Sequence, residues 1–121
     1  MNPIFCAVDT SDFSAAEKLV DTVKDEVYGF KLGLEFFLAH GEKGYKAIAA
    51  RGKPIFLDVK LHDIPNTVAG AIGSLLPLKP AFITVHAAGG PAMMRAAAEA
   101  AAKAGTSRPK LLAVTVLTSL D

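Results

Sequence analysis

The stretch Phe56-Leu-Asp58-Val-Lys60-Leu-His-Asp63-Ile-Pro65-Asn-Thr67 decides how this chain is read. It begins as a strand and ends in a loop, ahead of a proline suited to open a helix. Asp58 and Lys60 are two residues apart, so their side chains leave the same face of the strand. Read alone, a D-x-K pair is a buried structural ion pair. Asp63, Pro65 and Thr67 turn the balance. A carboxylate and an ammonium then stand together at a strand's C-terminal end with a second carboxylate nearby, which is a small charge-relay site.

Working outward, short apolar runs recur at residues 4–8, 30–34, 55–59, 82–85 and 111–117. All are too short for a core helix and rich enough in Val, Ile and Phe for a buried strand. Helical patterns fill the gaps. In residues 13–27, Ala16, Leu19, Val20, Val23 and Val27 share one stripe, with Ser14 and Glu17 reading as a capping box. Residues 45–51 end at Gly52, residues 65–76 open on Pro65, and residues 91–104 carry Arg95, Glu99 and Lys103 as a solvated stripe.

The order is βαβαβαβαβ, and its nearly continuous apolar strands predict a parallel sheet buried on both faces. Periodicity alone leaves a barrel segment and an open, doubly wound sheet both in play. The polar residues choose between them. Asp9, Lys31, Asp58, Lys60, His86, Thr115 and Thr118 fall within or just after the strands, mostly toward their C-terminal ends. Barrels of the (β/α) type keep their chemistry on that rim, whereas an open sheet gathers ligand contacts at one switch point. The expected fold class is therefore α/β of the TIM-barrel type.

At 121 residues the chain can bury one modest core, and no composition shift marks a second domain. A net charge of +1, with no basic cluster beyond Lys43 and Lys46, argues against a nucleic-acid surface. Apolar runs are broken by Pro or a charge long before membrane-spanning length, and the first nine residues lack a basic leader. The reading is a cytoplasmic protein with no membrane or nucleic-acid partner. Cys6 is the single cysteine, so no disulfide can form within the chain, and no neighbouring His or Lys would activate its thiol.

Asp58-x-Lys60-x-x-Asp63-Ile64-Pro65-Asn66-Thr67 resembles the motif of the orotidine 5′-monophosphate decarboxylases. The resemblance extends along the chain through Ala7-Val-Asp9, Phe30-Lys31-Leu-Gly33-Leu-Glu35, Thr84-Val-His86-Ala-Ala-Gly89-Gly90 with Met93-Met94, and Val114-Thr-Val-Leu-Thr118-Ser119. D-x-K-x-x-D is shared with sugar-phosphate decarboxylases of the same superfamily, while the D-I-P-N-T continuation is far more specific. In the metal-dependent sister enzymes the position of Lys31 is typically a glutamate that helps bind magnesium, so a lysine there argues against a metal.

The resemblance implies a cofactor-free and metal-free conversion of orotidine 5′-monophosphate to uridine 5′-monophosphate and CO2, the last step of de novo pyrimidine synthesis. Lys31, Asp58, Lys60 and Asp63 would form an alternating-charge array, Asp63 reaching across a homodimer interface. Lys60 would donate the proton that replaces CO2. Asp9 and Lys31 would hold ribose hydroxyls, Ile64 and Thr67 would come from the neighbouring subunit, Thr118 would meet the pyrimidine edge, and His86 would lie near the ribose and phosphate.

Taken singly, these residues have plainer readings. Lys31 is a snorkelling strand-end lysine, His86 a hydrogen-bonded strand-end histidine, Gly89-Gly90 an ordinary turn, and His40 and His62 surface residues. Their joint fit to one pattern is what favours a catalytic site. A complete (β/α)8 barrel takes about 250 residues, so residues 1–121 are expected to form its N-terminal half. The phosphate-gripping arginine and the closing loop of that family would then lie outside the chain, and activity of the chain by itself is doubtful. Two alternatives remain, a catalytically silent half-barrel module and a magnesium-dependent sugar-phosphate decarboxylase.

Overall fold

The computed structural model describes residues 3–117 and 119. Strand order follows chain order, β1-β2-β3-β4-β5. The chain divides into two compact units, Met1–Asp58 and Val59–Asp121, with β3 (Ile55–Leu61) running from the first into the second.

In the first unit β1 (Phe5–Val8) pairs in parallel with β2 (Gly29–Gly33), and β2 with β3. The register sets Ala7 opposite Lys31 and Gly33 opposite Asp58. Side chains alternate as a pleated strand demands: Phe30 and Leu32 are buried while Lys31 is half-buried on the other face. Gly29 is required by space, because a Cβ there would run into the Pro54 carbonyl oxygen and the Phe5 ring.

Helix α1 (Phe13–Val23) buries Ala16 and Val20. Its N-cap is Asp12, whose carboxylate accepts from the Ala15 amide at 3.1 Å, so the expected box of Ser14 and Glu17 does not form. Glu17 instead joins Asp21 in receiving the Arg51 guanidinium at 3.1 and 3.0 Å. Arg51 also donates to the Ala47 carbonyl at 2.7 Å, fastening α1 to the end of α2.

Helix α2 (Leu34–Ala49) starts well before the expected residues 45–51. Two features hid its first half from sequence reading. Leu34 and Leu38 are apolar yet 50% and 75% exposed, and Gly41 takes a non-helical φ of 60° that breaks the period.

The second unit contains the end of β3, α3 (Pro65–Leu75), β4 (Phe82–His86), α4 (Pro91–Ala102) and β5 (Lys110–Val114). Both helices open on proline, where a missing amide costs nothing. Val68, Ile72 and Leu75 of α3 and Met93, Ala97, Ala100 and Ala101 of α4 are buried together with Ile83 and Val85. The small residues of α4 allow a close approach between the two helices. Arg95, Glu99 and Lys103 are exposed, as the four-residue spacing implied. Strand β5 ends at Val114, paired to His86, short of the expected residue 117, because β4 offers no residue further along.

Candidate active site

The first unit brings three of the expected charges together, one just past the C-terminal end of β1 and the others from the middles of β2 and β3. Lys31 Nζ lies 3.7 Å from Asp58 Oδ2 and 4.0 Å from Asp9 Oδ1. Lys31 occupies the half-exposed face of β2, and Asp9 follows directly after β1. Asp58 sits between buried Leu57 and Val59, so its carboxylate leaves the opposite face and is only 13% exposed. A half-buried cation between two carboxylates gives an alternating row from residues far apart in sequence. Cys6 stands nearby as a thiol: burial, then the Asp9 charge, push its pKa up.

In the second unit β3 carries Lys60 one residue before its last, Leu61, with the lysine side chain exposed. Its backbone is in the left-handed region at φ 49°. Its amide donates to Thr84 Oγ1 at 2.9 Å. Thr84, at 2% exposure, is the buried polar residue of the core described, and the sequence reading gave it no role.

The segment after β3 carries three more of the expected residues. Asp63 is exposed and its Oδ1 accepts from the Ile64 amide at 2.7 Å, which fixes the entry to α3. Ile64, the N-cap residue, is 65% exposed, and Thr67 in the first turn is exposed as well. His86 at the end of β4 accepts on Nδ1 from the Ala88 amide at 3.1 Å, which leaves Nε2 as its N–H in the neutral ring. The His62 ring stacks on it, centroids 5.4 Å apart. His62 is thus exposed as expected but not idle. Thr118 lies outside the described residues.

His40 also differs from a plain surface residue. Its ring packs against Phe13 and Phe36, and Nε2 meets the Ser11 carbonyl at 2.6 Å, holding the segment that follows Asp9. A cavity of about 500 Å³ lined by Phe13, His40, Lys43, Gly44 and Ala47 opens beside it. Among the described residues no group of three or more His, Cys, Asp or Glu could hold a metal ion, and no helix is long and apolar enough to cross a membrane.

Residues 2–121 match the family described as orotidine 5′-phosphate decarboxylase / HUMPS. The orotidine 5′-phosphate decarboxylase of Rhodospirillum rubrum is 54% identical over 125 residues, covering 99% of this chain and 51% of that protein. That of Sphingopyxis alaskensis is 57% identical over 120 residues, covering 99% and 52%. The crystal structure of the Lactobacillus acidophilus orotidine 5′-phosphate decarboxylase superposes with a TM-score of 0.89 at 38% identity, over all of this chain and 56% of that one. The Methanocaldococcus jannaschii enzyme complexed with inhibitor BMP gives 0.85 at 30% identity, over 95% and 52%. The fold is of the TIM-barrel type, and the chain spans about half the length of the curated relatives it matches.

Proposed function

The chain belongs to the orotidine 5′-phosphate decarboxylase / HUMPS family, and from that membership we propose that it carries the charge array of a carboxy-lyase converting orotidine 5′-monophosphate to uridine 5′-monophosphate and CO2. Residues 1–121 would act as the first half of a (β/α)8 barrel, in a cytoplasmic homodimer. The observation that carries this reading is the row Asp9, Lys31, Asp58, with Lys31 Nζ 3.7 Å from Asp58 and 4.0 Å from Asp9.

In this reading the substrate carboxylate sits against Asp58. The bond from pyrimidine C6 to the carboxylate breaks, CO2 leaves, and the electron pair stays on C6. The Lys60 ammonium stabilises that charge and transfers one proton to C6, then recovers a proton from solvent. Asp9 and Lys31 take ribose hydroxyls. Asp63, Ile64 and Thr67, all exposed, serve the partner's site, while His86 flanks the ribose and phosphate and Thr118 the pyrimidine edge.

Magnitudes divide the work. Two carboxylates at ~4 Å with an effective dielectric of ~20 repel by roughly 4 kcal/mol. That is about three decades of rate if fully relieved, whereas enzymes commonly supply about 8–23 kcal/mol. Repulsion at Asp58 therefore cannot be the whole account. A preorganised Lys60 cation and binding energy from the remote phosphate must supply the rest.

The sugar-phosphate alternative needs carboxylates free to hold magnesium, and the Lys31 ammonium already stands between Asp9 and Asp58. The test is a spectrophotometric assay of orotidylate loss by the chain, alone and with the second half of a curated relative added in trans. Turnover in the complemented sample supports the reading. A complemented sample that folds, binds uridine monophosphate and does not turn over would support the silent module instead.

A further inference from the structure

We propose that Thr84 is a positioning residue for Lys60, its buried hydroxyl holding the lysine backbone in the left-handed conformation that aims the ammonium. The proposal rests on the decarboxylase reading and adds to it a residue without any contact to substrate. Lys60 and Lys79 are the non-glycine residues at positive φ among those described, at 49° and 54°. Lys79 caps a 3₁₀ turn, a common place for such a residue. Lys60 instead lies within β3, one residue before its end, where extended backbone is the default and the Cβ makes the left-handed region costly. Such a conformation persists only when its surroundings over-determine it.

The Lys60 amide finds that support in Thr84 Oγ1 at 2.9 Å. Thr84 is on β4, 2% exposed and flanked by buried Ile83 and Val85, so the hydroxyl is fixed by the core and not by a mobile loop. Removing the buried hydroxyl takes this hydrogen bond from the Lys60 amide. Relaxing Lys60 to extended backbone would swing its Cα–Cβ bond and carry the ammonium with it. Proton transfer requires heavy-atom contact near 2.6–3.2 Å, and a misplacement of about 1 Å can cost about 100-fold in rate.

The experiment compares Thr84→Ser, which keeps the acceptor, with Thr84→Val, which keeps the shape and removes it. In the chain itself, exchange of the Lys60 amide and its Cα chemical shift report the conformation. In the chain complemented by the second half of a curated relative, kcat and KM report the consequence. The expected result is a Lys60 amide that exchanges faster in Thr84→Val. It comes with a kcat lower by about 100-fold at nearly unchanged KM, and with both restored in Thr84→Ser. If Thr84→Val does not fold, Thr84→Cys, close in size and a weak acceptor, must show the same pattern. Wild-type kcat in a folded Thr84→Val, or an equal loss in Thr84→Ser, overturns the proposal. An inactive complemented wild type would overturn the decarboxylase reading and the catalytic consequence with it, while the exchange measurement still decides the Lys60–Thr84 link.

Discussion

Lys31 and Asp58 approach to 3.7 Å from neighbouring parallel strands, the lysine side chain 29% and the aspartate side chain 13% exposed. Their Cα atoms are not register partners: Gly33 faces Asp58, and the lysine reaches along the strand to meet it. A charge-assisted contact in this setting fixes the carboxylate's orientation as well as its ionisation.

Lys31→Met should therefore lose turnover by about 100–1,000-fold, the usual scale for removing one preorganised electrostatic partner. Stability should fall by about 1–3 kcal/mol, because the half-buried Asp58 carboxylate loses this cation. Kinetics on the complemented chain and thermal unfolding of the chain alone check the two parts. Unchanged turnover would remove Lys31 from the site.

Lys60→Ala should abolish turnover and leave the fold intact. Lys60 is exposed, so removing its side chain opens no cavity. General acids contribute about 100–10,000-fold, and here the same group also stabilises the charge at C6. Circular dichroism should match wild type, and near-normal turnover would exclude Lys60 as the proton donor.

How much of this was legible follows from where each signal lives. The apolar alternation in β3 and the charges of Asp58, Lys60 and Asp63 are local, so strand and motif could be read directly. Lys31 and Asp9 were found through the motif pattern, and their meeting with Asp58 is set by strand register. The first half of α2 was not legible, because Leu34 and Leu38 are exposed and Gly41 interrupts the helix. Thr84 was invisible for a different reason. A threonine in an apolar run reads as a β-former, and its partner is a backbone amide 24 residues earlier. Nothing in a lysine announces a positive φ.

Acid should weaken the first unit through Asp21. Its hydrogen bond from Arg51 holds its carboxyl below the ordinary carboxylate range. The folded state thus binds a proton less readily than the unfolded chain, whose aspartates titrate near pH ~3.9. The stabilisation is present above that pH and is lost as pH falls through the lower folded value. Arg51→Met should remove it, so the stability gap between wild type and variant should narrow on acidification. Denaturant midpoints across the acid range check this, and a gap independent of pH would show that the Arg51–Asp21 pairing contributes nothing through ionisation.

Catalysis should need no metal. The Lys31 ammonium stands between the Asp9 and Asp58 carboxylates and offsets one of their two charges, which weakens the attraction for a divalent cation. Turnover of the complemented chain should be the same after exhaustive chelation. Loss on chelation with recovery on adding magnesium would revive the sugar-phosphate reading.

The isolated chain should self-associate and bind uridine monophosphate far more weakly than the complemented one. Asp63, Ile64 and Thr67 present an exposed patch after β3, with Ile64 65% exposed. The terminal strands in the sheet order are β1 and β5, and unpaired strand edges recruit partners. A phosphate is best held by charge-assisted, often bidentate bonds from arginine. The expectation from the family is that this grip lies beyond residue 121. Each hydrogen bond to a charged group is worth about 1.5–3 kcal/mol, and each ~1.4 kcal/mol is a tenfold change in affinity. Losing two such bonds therefore weakens binding by at least about 100-fold. Sedimentation and calorimetry on the two samples decide the matter. A strictly monomeric chain that binds as tightly alone as when complemented would refute both halves of the prediction.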